Sequence, residues 1–137
     1  MLLLRAYIAG FLSTLIFHQG LLGLLHAGGF SPRTPYSFAP AGPLHIPSVL
    51  SLAFWGGIWA IGLGFVLRDL NGANYWLSWT IAGAVGPSVV ALFVVFPLKG
   101  MPIAGGWDPK IIIGALLLNA AWGIGVALLL RSLPQFR

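Results

Sequence analysis

Four long apolar stretches occupy most of this chain, at about residues 2–27, 47–67, 75–96 and 110–131, and none contains an acidic residue. As helices rising about 1.5 Å per residue, each is long enough to cross a hydrocarbon core about 30 Å thick. The composition agrees: 58% hydrophobic residues, 7% charged and a mean hydropathy of +0.95 leave more apolar surface than a water-soluble domain of 137 residues can hide. The sequence therefore predicts an all-α fold, an integral membrane antiparallel four-helix bundle, built as a single membrane domain over residues 1–137. The connections at about 28–46 and 97–108 are expected on the outer side. The first stretch is read as a retained helix. Its apolar run exceeds the roughly 7–15 residues of a signal peptide, and Leu25-His26-Ala27 is a poor small-x-small cleavage site.

Seven Lys and Arg face only Asp69 and Asp108, for a formal charge of +5. The basic residues lie singly at helix ends and in connections, a pattern that suits topology and anionic lipid headgroups rather than nucleic acid. Four spans place both termini and the short 68–74 connection on one side, with Arg5, Arg68, Arg131 and Arg137; the other side holds Arg33, Lys99 and Lys110. The excess of one predicts cytoplasmic termini. The expected location is a cell membrane, the inner membrane of a bacterium, with the lipid bilayer as the first partner. The absence of cysteine excludes disulfides and thiolate metal sites.

Helix ends are punctuated. Asp108-Pro109 predicts a capped start to the fourth helix, Gly28 and Gly29 a left-handed end to the first, and Pro97 and Pro134 the stops of the third and fourth. Pro87 is expected to kink the third. Tyr7, Tyr75 and Trp76 near one boundary and Trp107 near the other suggest an aromatic belt. The connections carry Tyr36, Phe38, Met101 and Trp107, which need a surface to cover them.

Apolar side chains gain little by leaving lipid for one another, so packing depends on close backbone approach and polar contacts. Rows of small residues at four-residue spacing mark the expected seams: Ala6, Gly10, Thr14 and His18; Gly56, Ala60 and Gly64; Ala82 and Gly86; Ala115, Asn119, Gly123 and Ala127. These rows hold the helices together or, in part, serve a homo-oligomer or another membrane protein.

Depth arithmetic places His18, Gln19, Ser88 and Asn119 in one layer, each about 12–14 Å from the outer helix ends. Gly56 and Gly57 fall at similar depth and leave a gap opposite. Left facing lipid, such groups are costly. Together they form either a hydrogen-bonded cluster that fixes helix register or a binding site for a quinone, pigment, haem or lipid headgroup. His18 and Asn119 are expected to face the bundle interior and approach each other, directly or through a water or ligand. The sequence names no cofactor, and His26 and His45 lie too near the surface to pair with His18 around a haem.

Proton-coupled transport normally uses an intramembrane carboxylate, and both aspartates lie in connections. The small multidrug transporters also have four helices at this length, but their first helix carries a Glu; here it carries His18-Gln19, and the chain has no Glu. No nucleophile motif or clustered metal ligands are present, which argues against an active site and leaves no catalytic or metal residue to name. The leading expectation is a non-catalytic accessory, assembly or scaffold subunit. One alternative is a binding protein for a hydrophobic cofactor or lipid at the His18 layer. Another is a small channel or transporter for a neutral or anionic solute.

Overall fold

The computed structural model describes residues 2–133. The chain is mostly helical (77%), with four helices long and apolar enough to span a membrane. These are α1 (Leu2–Ala27), α2 (Ser48–Val66), α3 (Gly72–Leu98) and α4 (Pro109–Ser132). Pro134 and Arg137, used above for the last helix stop and for topology, lie outside the described residues.

Local chemistry sets the ends. Gly29 takes a left-handed φ of 77° just past α1, and the Phe30 and Ser31 N–H groups turn back to the Leu25 carbonyl. Asp108 accepts the Lys110 N–H at 3.0 Å, with Pro109 in the first turn of α4. The expected stop at Pro97 is corrected: α3 runs on to Leu98, and the left-handed Gly100 (φ 78°) follows. Pro97 lacks an N–H, and its ring normally meets the carbonyl four residues back. A π turn over Ala91–Val95 shifts the carbonyl ladder ahead of it and removes that conflict.

Helix α1 packs against α2 and α4, and α3 packs against α4. Helices α2 and α3 approach less closely, with the Trp59 ring 3.2 Å from where a Cβ on Gly86 would stand. Along α1 and α2, Ala6 meets Gly64, Gly10 meets Ala60 and Thr14 meets Gly56, so the two run in opposite directions. A Cβ on Gly10 would lie 2.3 Å from the Gly56 carbonyl oxygen, and one on Gly123 would lie 2.3 Å from that of Trp79. At both glycines the neighbouring helix backbone leaves no room for a side chain. The gap expected at Gly56 and Gly57 is therefore absent: Thr14 and Trp122 crowd the first, and the Tyr7 ring covers the second.

Polar bonds close the same seams. Ser13 Oγ–H donates to the Trp122 carbonyl at 2.7 Å, and the Trp122 indole N–H donates to the Gly10 carbonyl at 3.1 Å. Tyr75 O–H donates to the Ala127 carbonyl at 2.6 Å. Tyr75 is thus buried between α3 and α4, and the belt expected for it and Tyr7 is corrected: seam contacts hold both rings. The Arg5 guanidinium caps α4 by donating to the Leu130 and Leu133 carbonyls.

Helix α2 has 19 residues against 24–27 for the others. Continuing the pairing of Ala6 with Gly64 and Thr14 with Gly56, Ser48 stands level with Leu22, about 7 Å short of the end of α1. The connection over 28–47 fills this step. It makes a short antiparallel pair, β1 (Pro40–Ala41) with β2 (Ile46–Pro47), and its Ala39 and Ser37 carbonyls accept the Ser48 and Val49 N–H groups.

If the glycine seams set the packing, Gly123→Ala should cost about 1–3 kcal/mol, as overpacking does. Gly62→Ala, where nothing lies within 4 Å of the added carbon, should be neutral or slightly stabilising. Unfolding midpoints in mild detergent distinguish the two, and equal midpoints would remove the seam argument.

Candidate functional site: a cavity at the step

The first half of α1 reaches the site through an irregularity. Thr14–His18 form a π turn, in which the Gln19 N–H bonds to the Thr14 and Ile16 carbonyls and passes over Leu15. The Leu15 carbonyl accepts the Tyr36 hydroxyl at 2.7 Å instead. The Tyr36 N–H donates to Gln19 Oε1 at 2.8 Å, and Pro35 lies against Gly23. The connection therefore descends the flank of α1, and its backbone reaches a level about 12 Å below Ala27. Tyr36 itself has a left-handed φ of 53°, costly for a bulky residue and maintained where surrounding bonds over-determine it.

These bonds also assign the Gln19 amide. Because Oε1 accepts from Tyr36, Nε2 faces His18 Nδ1 at 3.0 Å and donates to it. Nδ1 is then an acceptor, and the neutral ring carries its proton on Nε2. Gln19 is fully buried and its amide is engaged at both ends.

The four residues of the expected polar layer form two pairs. His18 is joined to Gln19, and Asn119 Nδ2–H donates to Ser88 Oγ at 2.9 Å across α3 and α4. Among the described residues no hydrogen bond links the pairs. The direct contact expected between His18 and Asn119 is corrected: Gln19 takes the acceptor nitrogen of His18, and the fully buried Ser88 takes the Asn119 amide.

A cavity of about 360 Å³ opens beside the first pair, where the connection, α1 and the start of α2 meet. Its floor is Gln19, Leu22, Val49 and Leu52. The hydroxyl-bearing Thr34, Ser37 and Ser48 line its wall, and the exposed Arg33 lines it from the connection. Of these only Gln19 belonged to the expected site. Arg33, Thr34 and Ser37 escaped notice because a residue in a connection has no helical depth from which to place it. The available signal was a Pro-rich connection with an aromatic residue, next to a helix holding an amide. Among the described residues, no group of three or more metal-ligating side chains is present. Comparison with family models, curated proteins and solved structures gives no match, so function is read from this geometry.

Two outcomes follow. Tyr36→Phe should loosen the connection, raising amide exchange over residues 30–39 by roughly fivefold for about 1 kcal/mol lost and leaving α4 unchanged. Asn119→Leu should lower stability by on the order of 1 kcal/mol without altering that exchange, because its partner is Ser88 and not the connection.

Proposed function

We propose that this is an integral membrane protein, an antiparallel four-helix bundle with both termini in the cytoplasm, and that it binds an amphipathic molecule of the bilayer. The cavity at the step carries this reading. It has an apolar floor in Leu22, Val49 and Leu52, a polar wall, and a volume of about 360 Å³, near the lower end of ligand sites. That is room for a polar head and the first atoms of a chain, with the remainder outside among lipids. The setting supports it: the floor belongs to helices apolar enough to span, and the rim to a connection that carries Arg33.

This places the ligand beside Gln19 rather than between His18 and Asn119, whose pairs already bond locally. A channel is disfavoured by the interior, where Trp79 and Trp122 are buried. An accessory role remains compatible with ligand binding, but no surface of the molecule argues for it specifically.

The chain has no cysteine, so topology can be tested with single substitutions at the exposed positions Leu44 and Asn74. A membrane-impermeant maleimide should label Leu44→Cys in intact cells, and Asn74→Cys only after permeabilisation. Labelling of both from outside would refute the four-span arrangement. For the ligand, native mass spectrometry of protein purified in mild detergent should show one retained amphiphile per chain. Leu52→Trp should remove it by filling the floor, with the unfolding midpoint reporting that the fold survives. Retention unaffected by Leu52→Trp and by Thr34→Trp at the rim would sink the binding reading.

A further inference from the structure

The cavity lining carries one cation, Arg33, and no carboxylate. The Gln19 amide is bonded at both ends, Oε1 accepting from Tyr36 and Nε2 donating to His18. The Ser48 hydroxyl donates to the Ala39 carbonyl at 2.8 Å. The Ser48 and Val49 N–H groups, at the start of α2, are occupied by the Ala39 and Ser37 carbonyls, so the helix terminus is already filled by the connection. Ser37 Oγ accepts the Ala39 N–H at 3.2 Å, which leaves its own O–H free to donate. The Thr34 hydroxyl has no partner among the described residues. Arg33 contributes five guanidinium N–H groups, and among the described residues no carboxylate pairs with it, the sole ion pair being Arg68 with Asp69. The other acid, Asp108, is engaged at the start of α4.

The lining thus offers a cation without a carboxylate partner among the described residues, and two hydroxyls free to donate beside it. We propose that the cavity takes a phosphate-type anion, held by the Arg33 guanidinium in charge-assisted hydrogen bonds and by the Thr34 and Ser37 hydroxyls. The inference rests on the binding reading above and names its ligand class. The planar guanidinium matches two oxygens of a phosphate at once, and hydroxyl donors complete its coordination. The neutral apolar floor favours an anion attached to a chain. The same chemistry also suits free inorganic phosphate, and the two sources are separable.

The test titrates the purified full chain in detergent with phosphatidylglycerol and with diacylglycerol, which has the same chains and no phosphate, by native mass spectrometry, and with inorganic phosphate by phosphorus NMR. The phospholipid should bind about tenfold tighter than the diacylglycerol, the scale of one charge-assisted interaction. Arg33→Gln should abolish that preference while diacylglycerol binding and the unfolding midpoint stay unchanged; Arg33 is exposed and its loss should not perturb the fold. Arg33→Lys should retain part of the preference. Arg33-dependent binding of the lipid alone identifies a headgroup. Arg33-dependent binding of inorganic phosphate identifies a soluble anion, and either result supports the anion site. Equal binding of both lipids, blocked by Leu52→Trp and Thr34→Trp, overturns the anion inference and leaves the cavity reading standing. Binding indifferent to both tryptophan variants removes the cavity reading, and this inference with it.

Discussion

The Trp122 indole N–H, donating to the Gly10 carbonyl, sits where α1, α2 and α4 meet. That carbonyl also accepts the Thr14 hydroxyl at 2.9 Å, while Ser13 returns a bond to the Trp122 carbonyl. Gly56 of α2 stands at the same point, with no room for a side chain between Thr14 and the indole. In an apolar solvent the helices have little hydrophobic reason to associate. Backbone proximity and a few buried bonds must supply the order. Bare backbone at Gly10 and Gly56 brings α1 to α2, and the carbonyl thereby exposed gives the indole of α4 its acceptor. The second seam repeats the solution with Gly83, Gly123 and the Tyr75 bond to Ala127. Register in both seams follows from these points, and the level at which each helix begins and ends follows from register.

The step is one consequence. With its register against α1 set at Ala6, Gly10 and Thr14, α2 has too few residues to keep level with its neighbours, and its start is left low. The π turn in α1 begins at Thr14, directly after the Ser13 bond to α4. By inserting a residue into the helical turn it frees the Leu15 carbonyl from the Gln19 N–H and leaves Gln19, rather than His18, as the buried member of the pair. Tyr36 uses both results, the carbonyl through its hydroxyl and the amide through its backbone. The cavity thus depends on the interhelical packing below it as much as on the residues that line it.

The helices were legible because apolar runs of this length have one structural outcome in lipid, and their ends fell near Gly, Asp and Pro signals. The rows Ala6-Gly10-Thr14 and Gly56-Ala60-Gly64 were legible as a seam because straight-helix periodicity holds along that stretch. Depth counting also set Ser88 level with Asn119, and the two are bonded. The same counting failed at His18. The π turn just before it carries no residue signature, since Thr14–His18 contains neither Pro nor Gly, and one inserted residue turns the following face by about 100°. Gly86 was named in a small-residue row without a partner helix, and it receives Trp59 from α2, a choice made by a neighbouring helix. The path of the connection left no periodic trace, so Arg33 was read as a topology and headgroup charge and not placed beside Gln19.

That charge and the cavity agree in level. Set in a bilayer with a core about 30 Å thick, the 19 residues of α2 span about 28 Å and so mark both edges of the hydrocarbon. The longer helices then project past the edge on the side of the step. In that setting Ser48 would stand at the boundary, Leu52 one turn below it in the acyl region, and Arg33 above it in the headgroup layer. A guanidinium held there keeps its hydration or a phosphate partner and avoids the several kcal/mol that a charge costs at the bilayer centre. The buried pairs deeper in the molecule, His18 with Gln19 and Ser88 with Asn119, bond to each other, as groups cut off from water must. Arg5 Nε is a buried donor without a partner near the other end of the bundle, but the free donors of the cavity lie at its outer edge, where apolar and polar lining residues meet. A lipid has its own polar–apolar boundary at the same height.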